Sequence, residues 1–318
     1  MRVLVTGSAG HLGDALMRTL RARGTPAVGL DVLPSPTTDL VGSITDRATV
    51  ARAMEGATVV LHTATLHKPH VATHARQAFV DVNVSGTLTL LEEAVRQRVQ
   101  AFVYTSTTSA FGDALTPPPG EPAAWITEDV VPVPKNIYGT TKVAAEDLCQ
   151  LMHRDHRLPV LVLRTSRFFP EDDDQAAVAS AYDEANAKAN EFLYRRVEIE
   201  DVVGAHLLAA ERAGAIGFGR YIVSATPPFT REHVAELRRD APAVVRRLVP
   251  AYEAVYAARG WRMFPSLDRV YDNAKARREL GWRPRHDFES VVARLAAGGD
   301  LRSELAQAVG AKGYHRSP

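Results

Sequence analysis

The 318-residue chain is long enough for one large domain or two modest ones with a hydrophobic core. Its 38 Lys and Arg residues nearly balance 37 Asp and Glu residues, and the basic residues are scattered, which argues against a nucleic-acid-binding surface. The single cysteine, Cys149, excludes an internal disulfide. No apolar run reaches the roughly 18 residues of a membrane span, and residues 2–5 are strand-like rather than part of a signal peptide. We therefore expect a soluble, cytoplasmic protein.

The first two-thirds of the chain alternates strand-like and helical segments. Short apolar runs rich in β-branched residues predict strands at residues 3–5, 27–30, 59–62, 101–105 and 160–163. Helices are predicted at residues 12–23, 47–55, 79–98 and 137–153. This alternation predicts an α/β fold with a Rossmann-type doubly wound parallel sheet, whose ligand crevice lies at the carboxyl ends of the strands.

A glycine-rich turn follows the first predicted strand. Gly7, Gly10 and Gly13 open the first helix, where glycines permit a tight turn and the close approach of a pyrophosphate to the helix amino terminus. Asp31 ends the second strand, 18 residues after Gly13. A carboxylate there can accept hydrogen bonds from both ribose hydroxyls and repels a 2′-phosphate, and no arginine follows it immediately. NAD is therefore favoured over NADP, the alternative being that Asp31 is an ordinary loop aspartate.

Tyr138 and Lys142 are the candidate proton-transfer pair. Four residues separate them within a predicted helix, so both side chains lie on one face, one turn apart. A phenol with its ordinary pKa of about 10 is a poor base at neutral pH. A neighbouring ammonium favours the phenolate and lowers that pKa, which makes tyrosine a usable acid or base. The pattern alone is frequent by chance, and it gains its meaning from the glycine turn.

The regular alternation weakens after residue 164. We predict an acidic turn at residues 170–174, helices at 176–192 and 202–212, and a late strand at 221–224. Mixed helix and loop follow. The expected organisation is an NAD-binding Rossmann domain and a smaller C-terminal substrate-binding lobe. The first comprises residues 1–165 with return segments near 197–225, and the second comprises residues 166–196 and 226–318.

Several motifs occur together in a characteristic order, and nearly the whole chain carries them. They are TGxxGxxG at residues 6–13, Asp31, residues 62–64, 83–87 and 103–112, Tyr138 with Lys142, and residues 273–282. With this set the chain resembles the extended short-chain dehydrogenase/reductases, specifically the NAD-dependent epimerase/dehydratase family. The resemblance implies that Tyr138 is the proton donor or acceptor. It also implies that Lys142 lowers the pKa of Tyr138 and binds the nicotinamide ribose.

The resemblance also assigns the hydroxyls that end the fourth long strand. In the family's S-S/T-x-x-V-Y-G pattern the catalytic hydroxyl lies four residues before the aromatic residue, here Phe111, which places it on Thr107. Thr107 would hydrogen-bond the reacting oxygen, Ser106 would line the nicotinamide side, and Asn83 would support the site through backbone geometry. The alternative is that these hydroxyls satisfy backbone groups at a strand end. The other cofactor-binding positions carried over are Ala9, His11, Leu12, Ser43, Ile44, His62, Ala64 and Thr105.

Departures from the family pattern fall on the substrate side. Arg167 stands where nucleotide-sugar epimerases have an asparagine, and residues 170–194 are short and lack the glycine-rich strand used against a nucleotide diphosphate. Arg167 can clamp a carboxylate or phosphate of a smaller substrate, or it can form a salt bridge to residues 171–174. Ser43 replaces an adenine-contacting aspartate, which weakens that contact. A UDP- or dTDP-sugar substrate is thereby disfavoured.

Three histidines follow the third long strand with the spacing H-x2-H-x3-H. His67, His70 and His74 can be metal ligands on a helical face, pocket-lining residues or ordinary surface residues. Pro69 indicates that the stretch begins as a loop, and no carboxylate or cysteine joins the cluster, so we predict no metal site. Because the loop faces the crevice, His67 is a candidate substrate-binding residue together with Thr107, Thr108 and Arg167.

Three functions follow from these patterns. The favoured one is an NAD-dependent oxidoreductase that transfers hydride between nicotinamide and a secondary alcohol or ketone of a small polar, possibly sugar-like substrate. The alternatives are a nucleotide-sugar 4-epimerase with tightly bound NAD and a non-catalytic NAD-sensing protein; the latter conflicts with the presence of both Tyr138 and Lys142. The resemblance further implies a homodimer through helices 79–98 and 137–153. The substrate's identity, the direction of hydride transfer and the pathway stay open.

Overall fold

A seven-stranded parallel sheet organises the protein. The computed structural model describes residues 2–171 and 176–313. Its strands in chain order are β1 (Val3–Thr6), β2 (Ala27–Asp31), β3 (Leu40–Val41), β4 (Val59–His62), β5 (Ala101–Thr107), β6 (Ala124–Ile126), β7 (Val160–Thr165), β8 (Phe218–Val223) and β9 (Arg269–Tyr271). The large sheet has the order β3-β2-β1-β4-β5-β7-β8, and every neighbouring pair is parallel. Strands β6 and β9 form a separate parallel pair.

Helices connect the strands and flank the sheet. In chain order they are α1 (His11–Ala22), α2 (Arg47–Met54), α3 (Arg76–Phe79), α4 (Gly86–Arg96), α5 (Ile137–His156), α6 (Ala176–Ala181), α7 (Glu184–Glu191), α8 (Ile199–Ile216), α9 (Val234–Leu237), α10 (Ala241–Leu248), α11 (Tyr252–Arg259), α12 (Ala274–Glu279), α13 (Phe288–Ala296) and α14 (Glu304–Val309). Helices α3 and α4 join through a π-helical turn, Val80–Ser85, within the single helix predicted at 79–98. The helix predicted at 176–192 is two helices, because Asp183 caps a new start at α7 by accepting a hydrogen bond from the Ala185 amide.

The sheet is buried on both faces, which explains why its strands read as continuous apolar runs. Side chains alternate between the faces, so Val3 and Val5 of β1 pack towards α1 and α8, and Leu4 packs towards α2, α4 and α5. Each face therefore has its own apolar core. This arrangement confirms the predicted Rossmann-type α/β class.

A third apolar cluster lies away from the large sheet. Its buried members come from α7, α9, α10, α11, α13 and β9 and from connecting segments, and they include Phe192, Tyr256 and Phe288. Ala123, which precedes β6, also joins this cluster.

The predicted boundaries between a Rossmann domain and a C-terminal lobe stay a prediction. None of the helices in residues 2–171 and 176–313 has both the length and the apolar character needed to cross a lipid bilayer.

Candidate active site

The β1–α1 turn is shaped by close backbone contacts. Gly7 has φ +74°, and a Cβ atom there would lie 2.6 Å from the Ala64 nitrogen. A Cβ on Gly13 would lie 1.9 Å from the Gly7 carbonyl oxygen. Gly10 is the N-cap of α1. The turn thus requires glycine at two of the three predicted positions, and it brings the amino terminus of a twelve-residue helix to the carboxyl edge of the sheet, a geometry suited to a pyrophosphate.

Asp31 is held beside this turn by backbone amides. Its Oδ2 accepts a hydrogen bond from the Ala9 amide at 2.9 Å, and its Oδ1 accepts one from the Leu33 amide at 2.9 Å. A carboxylate has about four lone-pair sites, so acceptor capacity remains for ribose hydroxyls. Ser43, by contrast, is engaged locally with the Thr45 hydroxyl at 2.8 Å and accepts from the Thr45 amide.

One cavity of about 800 Å³ runs from this turn along the carboxyl edge of the sheet. Most of the predicted site residues line it. They are Gly7, Gly10, His11, Leu12, Asp31, Ser43, Ile44, Ala64, His67, Thr105, Ser106, Thr107, Thr108, Tyr138, Lys142 and Arg167. Four predicted site residues do not line the cavity: Ala9, Gly13, His62 and Asn83. The cavity thus connects the glycine turn with the predicted proton-transfer pair.

Helix α5 presents the predicted proton-transfer pair to the cavity. Its N-cap Asn136 accepts a hydrogen bond from the Gly139 amide at 3.1 Å, which fixes the start of the helix. Tyr138 and Lys142 are both buried on one face. Burial raises the pKa of Tyr138 to about 12, and a hydrogen bond with the Thr107 side chain offsets part of this shift. Burial thus outweighs the lowering of the pKa expected from the Lys142 charge.

Thr107 ends β5 at the same point. Its hydroxyl is almost completely buried and accepts a hydrogen bond from the Ser109 amide at 3.0 Å. This contact is the strand-end capping considered as an alternative, and the contact with Tyr138 accompanies it. A hydroxyl can donate and accept at once, so the two contacts are compatible.

A buried ionic cluster that the sequence did not reveal lies one helical turn beyond the pair on α5. Glu146, one turn beyond Lys142, accepts hydrogen bonds from Ser106 Oγ at 2.6 Å, Arg164 Nη2 at 2.7 Å and Arg220 Nε at 3.1 Å. From the sequence alone, the four-residue spacing between Lys142 and Glu146 would instead suggest an ion pair between these two side chains. Arg164 and Arg220 come from β7 and β8, so only the sheet order brings them to Glu146. The cluster fixes the hydroxyl of Ser106.

His62 and Asn83 brace the site from behind. The Thr87 hydroxyl donates to the Asn83 carbonyl at 2.7 Å, so it accepts from His62 Nε2 at 2.9 Å. In the neutral ring that burial favours, His62 Nδ1 then accepts from the Thr6 hydroxyl at 2.8 Å. Burial, followed by the charge of Lys142, holds the pKa of His62 well below its usual value.

Asn83 acts through its side chain as well as through its backbone. Its Oδ1 accepts from the Leu66 amide at 2.8 Å, and its Nδ2 donates to the Thr141 hydroxyl at 3.0 Å. Asn83 lies in the π-helical turn and is buried. It therefore ties the loop after β4 to α5, three residues from Tyr138 and one from Lys142.

Arg167, a predicted substrate-binding residue, lies at the cavity wall among charged and aromatic groups. Its Nη1 is 3.9 Å from Glu191 Oε1, and its guanidinium is 5.1 Å from the centre of the Phe169 ring. Arg195 also contacts Glu191, at 2.8 Å. Of the acidic residues considered as Arg167 partners, Glu171 instead contacts His11 Nε2 and the Lys312 amide, each at 2.9 Å. Residues 172–174 of that predicted acidic turn lie outside the described residues.

The three histidines pack edge-to-face along one wall of the cavity. The ring centres of His67 and His70 are 4.6 Å apart, and those of His70 and His74 are 5.0 Å apart. They span a short 3₁₀ turn, Lys68–Ala72. All three line the cavity. Within the described part of the chain, no group of three or more His, Cys, Asp or Glu side chains has an arrangement that could hold a metal ion.

Comparison with known proteins identifies the family. The model of the NAD-dependent epimerase/dehydratase family matches residues 3–222, so the chain belongs to this family, as its motifs predicted. Members of the family are NAD-dependent enzymes that include dehydrogenases, dehydratases and epimerases.

Relatives of different activity match most of the chain. The 3-beta-hydroxysteroid dehydrogenase of Mycolicibacterium neoaurum is 27% identical, over 92% of this chain and 89% of its own length. The dTDP-glucose 4,6-dehydratase of Streptomyces antibioticus is 29% identical, over 92% of this chain and 91% of its own length. A shorter match, 34% identical over 51% of this chain, spans only 39% of an uncharacterised protein of Sinorhizobium fredii. Sequence similarity therefore does not determine whether this protein is a dehydrogenase or a dehydratase.

A solved structure confirms the fold. A short-chain dehydrogenase/reductase superfamily protein from Agrobacterium tumefaciens, crystallised with bound NAD, superposes with a TM-score of 0.66. The two chains are 21% identical, and the match covers 93% of this chain and 96% of the other.

Proposed function

We propose that the protein is an NAD-dependent oxidoreductase that interconverts a secondary alcohol and a ketone. The observation that supports this most directly is the single cavity that joins the glycine turn and Asp31 to Thr107, Tyr138 and Lys142. When bound, NAD supplies or accepts the hydride. Tyr138 gives the proton to, or takes it from, the substrate oxygen, and Thr107 hydrogen-bonds that oxygen. Lys142 provides positive charge at the same wall.

The residues present fit NAD better than NADP. Gly7 and Gly13 permit a tight turn in which a Cβ atom at either position would collide with backbone atoms, and this turn directs the amino terminus of α1 to the cavity. Asp31 is oriented by two backbone amides at the end of β2, where a carboxylate can bind ribose hydroxyls. A 2′-phosphate would meet that negative charge.

A small polar substrate with an anionic group fits the other end of the cavity. Arg167 and Arg195 line this end together with Phe169 and Tyr194. The region between β7 and α8 contains α6 and α7, and its described part has no strand that could run along a nucleotide diphosphate. These features support the dehydrogenase over the nucleotide-sugar epimerase.

The side chains that directly follow β5 support oxidoreduction over dehydration. Eliminating water next to a ketone requires an additional acid or base near the reacting carbons. The residues after β5 that line the cavity are the hydroxyl-bearing Thr107, Thr108 and Ser109. Among the described residues, the acidic side chains of the cavity wall are Asp31 and Asp268, which come from β2 and the segment before β9.

The deciding experiment measures cofactor retention and net turnover together. The purified protein is dialysed, its bound dinucleotide is quantified, and NADH formation is followed with added NAD and a panel of hydroxy acids, sugar acids and neutral sugars. We expect NADH formation in proportion to turnover, with anionic substrates preferred. Interconversion of UDP-sugars without added NAD would instead establish the epimerase. Retention of NAD without turnover of any substrate would favour a binding protein.

We also propose a homodimer through α4 and α5. Leu88 and Leu148 on these helices are only partly buried, and Leu151 is 39% exposed. Exposed apolar side chains on adjacent helices are suited to packing against a second copy. Leu151→Asp should shift the mass measured by light scattering from dimer to monomer. Val131→Asp, at an exposed loop position, should leave the mass unchanged, and a monomeric wild-type protein would contradict the proposal.

A further inference from the structure

Lys142 has an unusual environment for a positively charged side chain. It is 2% exposed, at the wall of the cavity. Among residues 2–171 and 176–313, no carboxylate oxygen lies within 4.0 Å of its Nζ, and none of the hydrogen bonds of this region involves it. A buried ammonium is costly unless some group compensates its charge. A compensating group on the cavity wall behind Lys142 would offset part of this cost.

The acidic residue closest in sequence is already engaged. Glu146 lies one turn further along α5, but Ser106, Arg164 and Arg220 donate hydrogen bonds to its two oxygens. Arg164 is bound to both oxygens through its Nε, at 3.1 and 3.2 Å. Two guanidinium groups already balance this single carboxylate. Glu146 therefore acts on Lys142 only as a distant charge.

The group that does contact Lys142 is an aromatic ring. Nζ lies 4.2 Å from the centre of the Tyr104 ring, within the range in which a cation and a ring face attract each other. Tyr104 is in β5, three residues before Thr107, and is 1% exposed. In the described structure, its buried hydroxyl has no hydrogen-bond partner. The ring, and not the hydroxyl, is therefore the interacting part of Tyr104.

We propose that Tyr104 is a positioning residue that keeps Lys142 charged and in place at the cavity wall through a cation–π contact. The inference rests on the proposed function, because it assigns the ring a role in supporting the Tyr138–Lys142 pair. The ring covers the ammonium from the sheet side. The N–H groups of Lys142 then remain available on the cavity side, where hydroxyl groups of a bound dinucleotide can accept them.

The other ionisable groups considered around Lys142 raise or lower the stability of its charged form. Burial lowers the pKa of Lys142 to about 7, and the charge of Glu146 on the same helix opposes that shift. Tyr138 on α5 and His62 at the end of β4 are neutral at pH 7, because burial shifts the pKa of each towards its neutral form. Asp81 on the π-helical turn is exposed and accepts from Gln77. The ring acts in the same direction as Glu146.

The test is a direct titration of Lys142 by NMR of lysine side-chain nitrogens in the intact protein. The chain has six lysines, and loss of one signal in Lys142→Arg assigns the resonance. Tyr104→Phe keeps the ring and should leave the pKa of Lys142 unchanged. Tyr104→Leu and Tyr104→Met remove the ring and should lower the pKa by about one pH unit.

The direction in which the pKa of Lys142 changes distinguishes the proposed cation–π contact from simple packing by residue 104. If residue 104 only fills space, its truncation admits water, which relieves burial and raises the pKa of Lys142. An unchanged or raised pKa in the Leu and Met variants would overturn the proposal. Should these variants not fold, fluorinated phenylalanines at position 104 preserve the shape while weakening the negative ring face. The pKa should then fall stepwise with fluorine number, and a constant pKa would overturn the proposal.

This titration needs no turnover, so its outcome is independent of the proposed reaction. A failed search for a substrate would contradict the oxidoreductase and leave the Lys142 result standing. For an active enzyme, the alkaline limb of the kcat profile should move to lower pH in Tyr104→Leu and stay in place in Tyr104→Phe.

Discussion

The two ends of the cavity are built by different means. At the cofactor end, backbone groups determine the shape: the Gly7 turn, the amino terminus of α1 and the amides that hold Asp31. At the proposed substrate end, long charged side chains determine it, as Arg167 and Arg195 do at Glu191. The spacing of the glycines marks the turn in the sequence, whereas no comparable spacing marks the partners of Arg167. The shape of the proposed cofactor end is therefore predictable from a motif, and the contacts of the proposed substrate end are not.

The largest effect is expected at the junction between the two ends. Tyr138→Phe removes the group that exchanges a proton with the substrate and should lower kcat by about 10²–10⁴-fold. Binding of NAD, measured by fluorescence titration, should persist. Tyr252→Phe is the matched control, because it removes a hydroxyl from the distant apolar cluster. Full activity of the Tyr138 variant would mean that another group transfers the proton.

The cofactor end is tested by Asp31→Asn. The loss of a charged acceptor for ribose hydroxyls should raise the Kd for NAD by about 10-fold or more. The Kd for NADP should stay constant or fall, because the repulsion of a 2′-phosphate is removed. Calorimetric titration with both dinucleotides provides the comparison, with the exposed Asp113→Asn as control. An equal loss for both dinucleotides would indicate a purely structural role for Asp31.

The substrate end is tested by Arg167→Ala. Removing a charge-assisted contact should raise the KM for an anionic substrate by about 10-fold, with a smaller change for neutral analogues and none in the Kd for NAD. Steady-state kinetics with matched acid and amide substrates measure the difference. Arg154→Ala, at an exposed position on α5, is the control. A uniform rise for both substrates would place Arg167 in a structural role.

The smallest effect is expected at Glu171, which contacts His11 of α1. Burial opposes its ionisation, but the hydrogen bond and charge of His11 and the Lys312 amide lower its pKa to about 2. This stabilisation is complete above the ordinary value near 4.5 and is lost as the pH falls towards 2. Allowing for solvent screening, Glu171→Gln should lower the free energy of unfolding at pH 7 by about 2 kcal/mol or less.

Urea unfolding at several pH values measures this contribution. The difference between wild type and Glu171→Gln should shrink steadily between pH 4.5 and pH 2.5. Glu121→Gln, at an exposed loop position, should track the wild type throughout. A difference that is independent of pH would show that the ionisation of Glu171 does not stabilise the fold.

The sequence predicted the parts of the molecule that depend on short-range patterns. The strand at residues 59–62 was confirmed with the same bounds, and the glycine turn, Asp31, Thr107 and the Tyr138 helix lie together at the edge of the sheet. The contacts of Glu146 were not predictable, because its partners come from β5, β7 and β8 and only the folded sheet brings them together. The parallel pair of β6 and β9 was missed for the same reason, since over 140 residues separate the paired positions Ala124 and Arg269.

In the π-helical turn, one extra residue interrupts the regular helix and positions the Asn83 side chain. Val80–Ser85 contains one residue more per turn than an α-helix would use, and that widening lets the Asn83 side chain reach both Leu66 and Thr141. Deleting one residue from this segment would restore an uninterrupted α-helix. It would also rotate the helix by about 100° on one side of the deletion, which would move Asn83 away from its partners. The shortened protein would then gain a more regular helix and lose the brace between the β4 loop and α5.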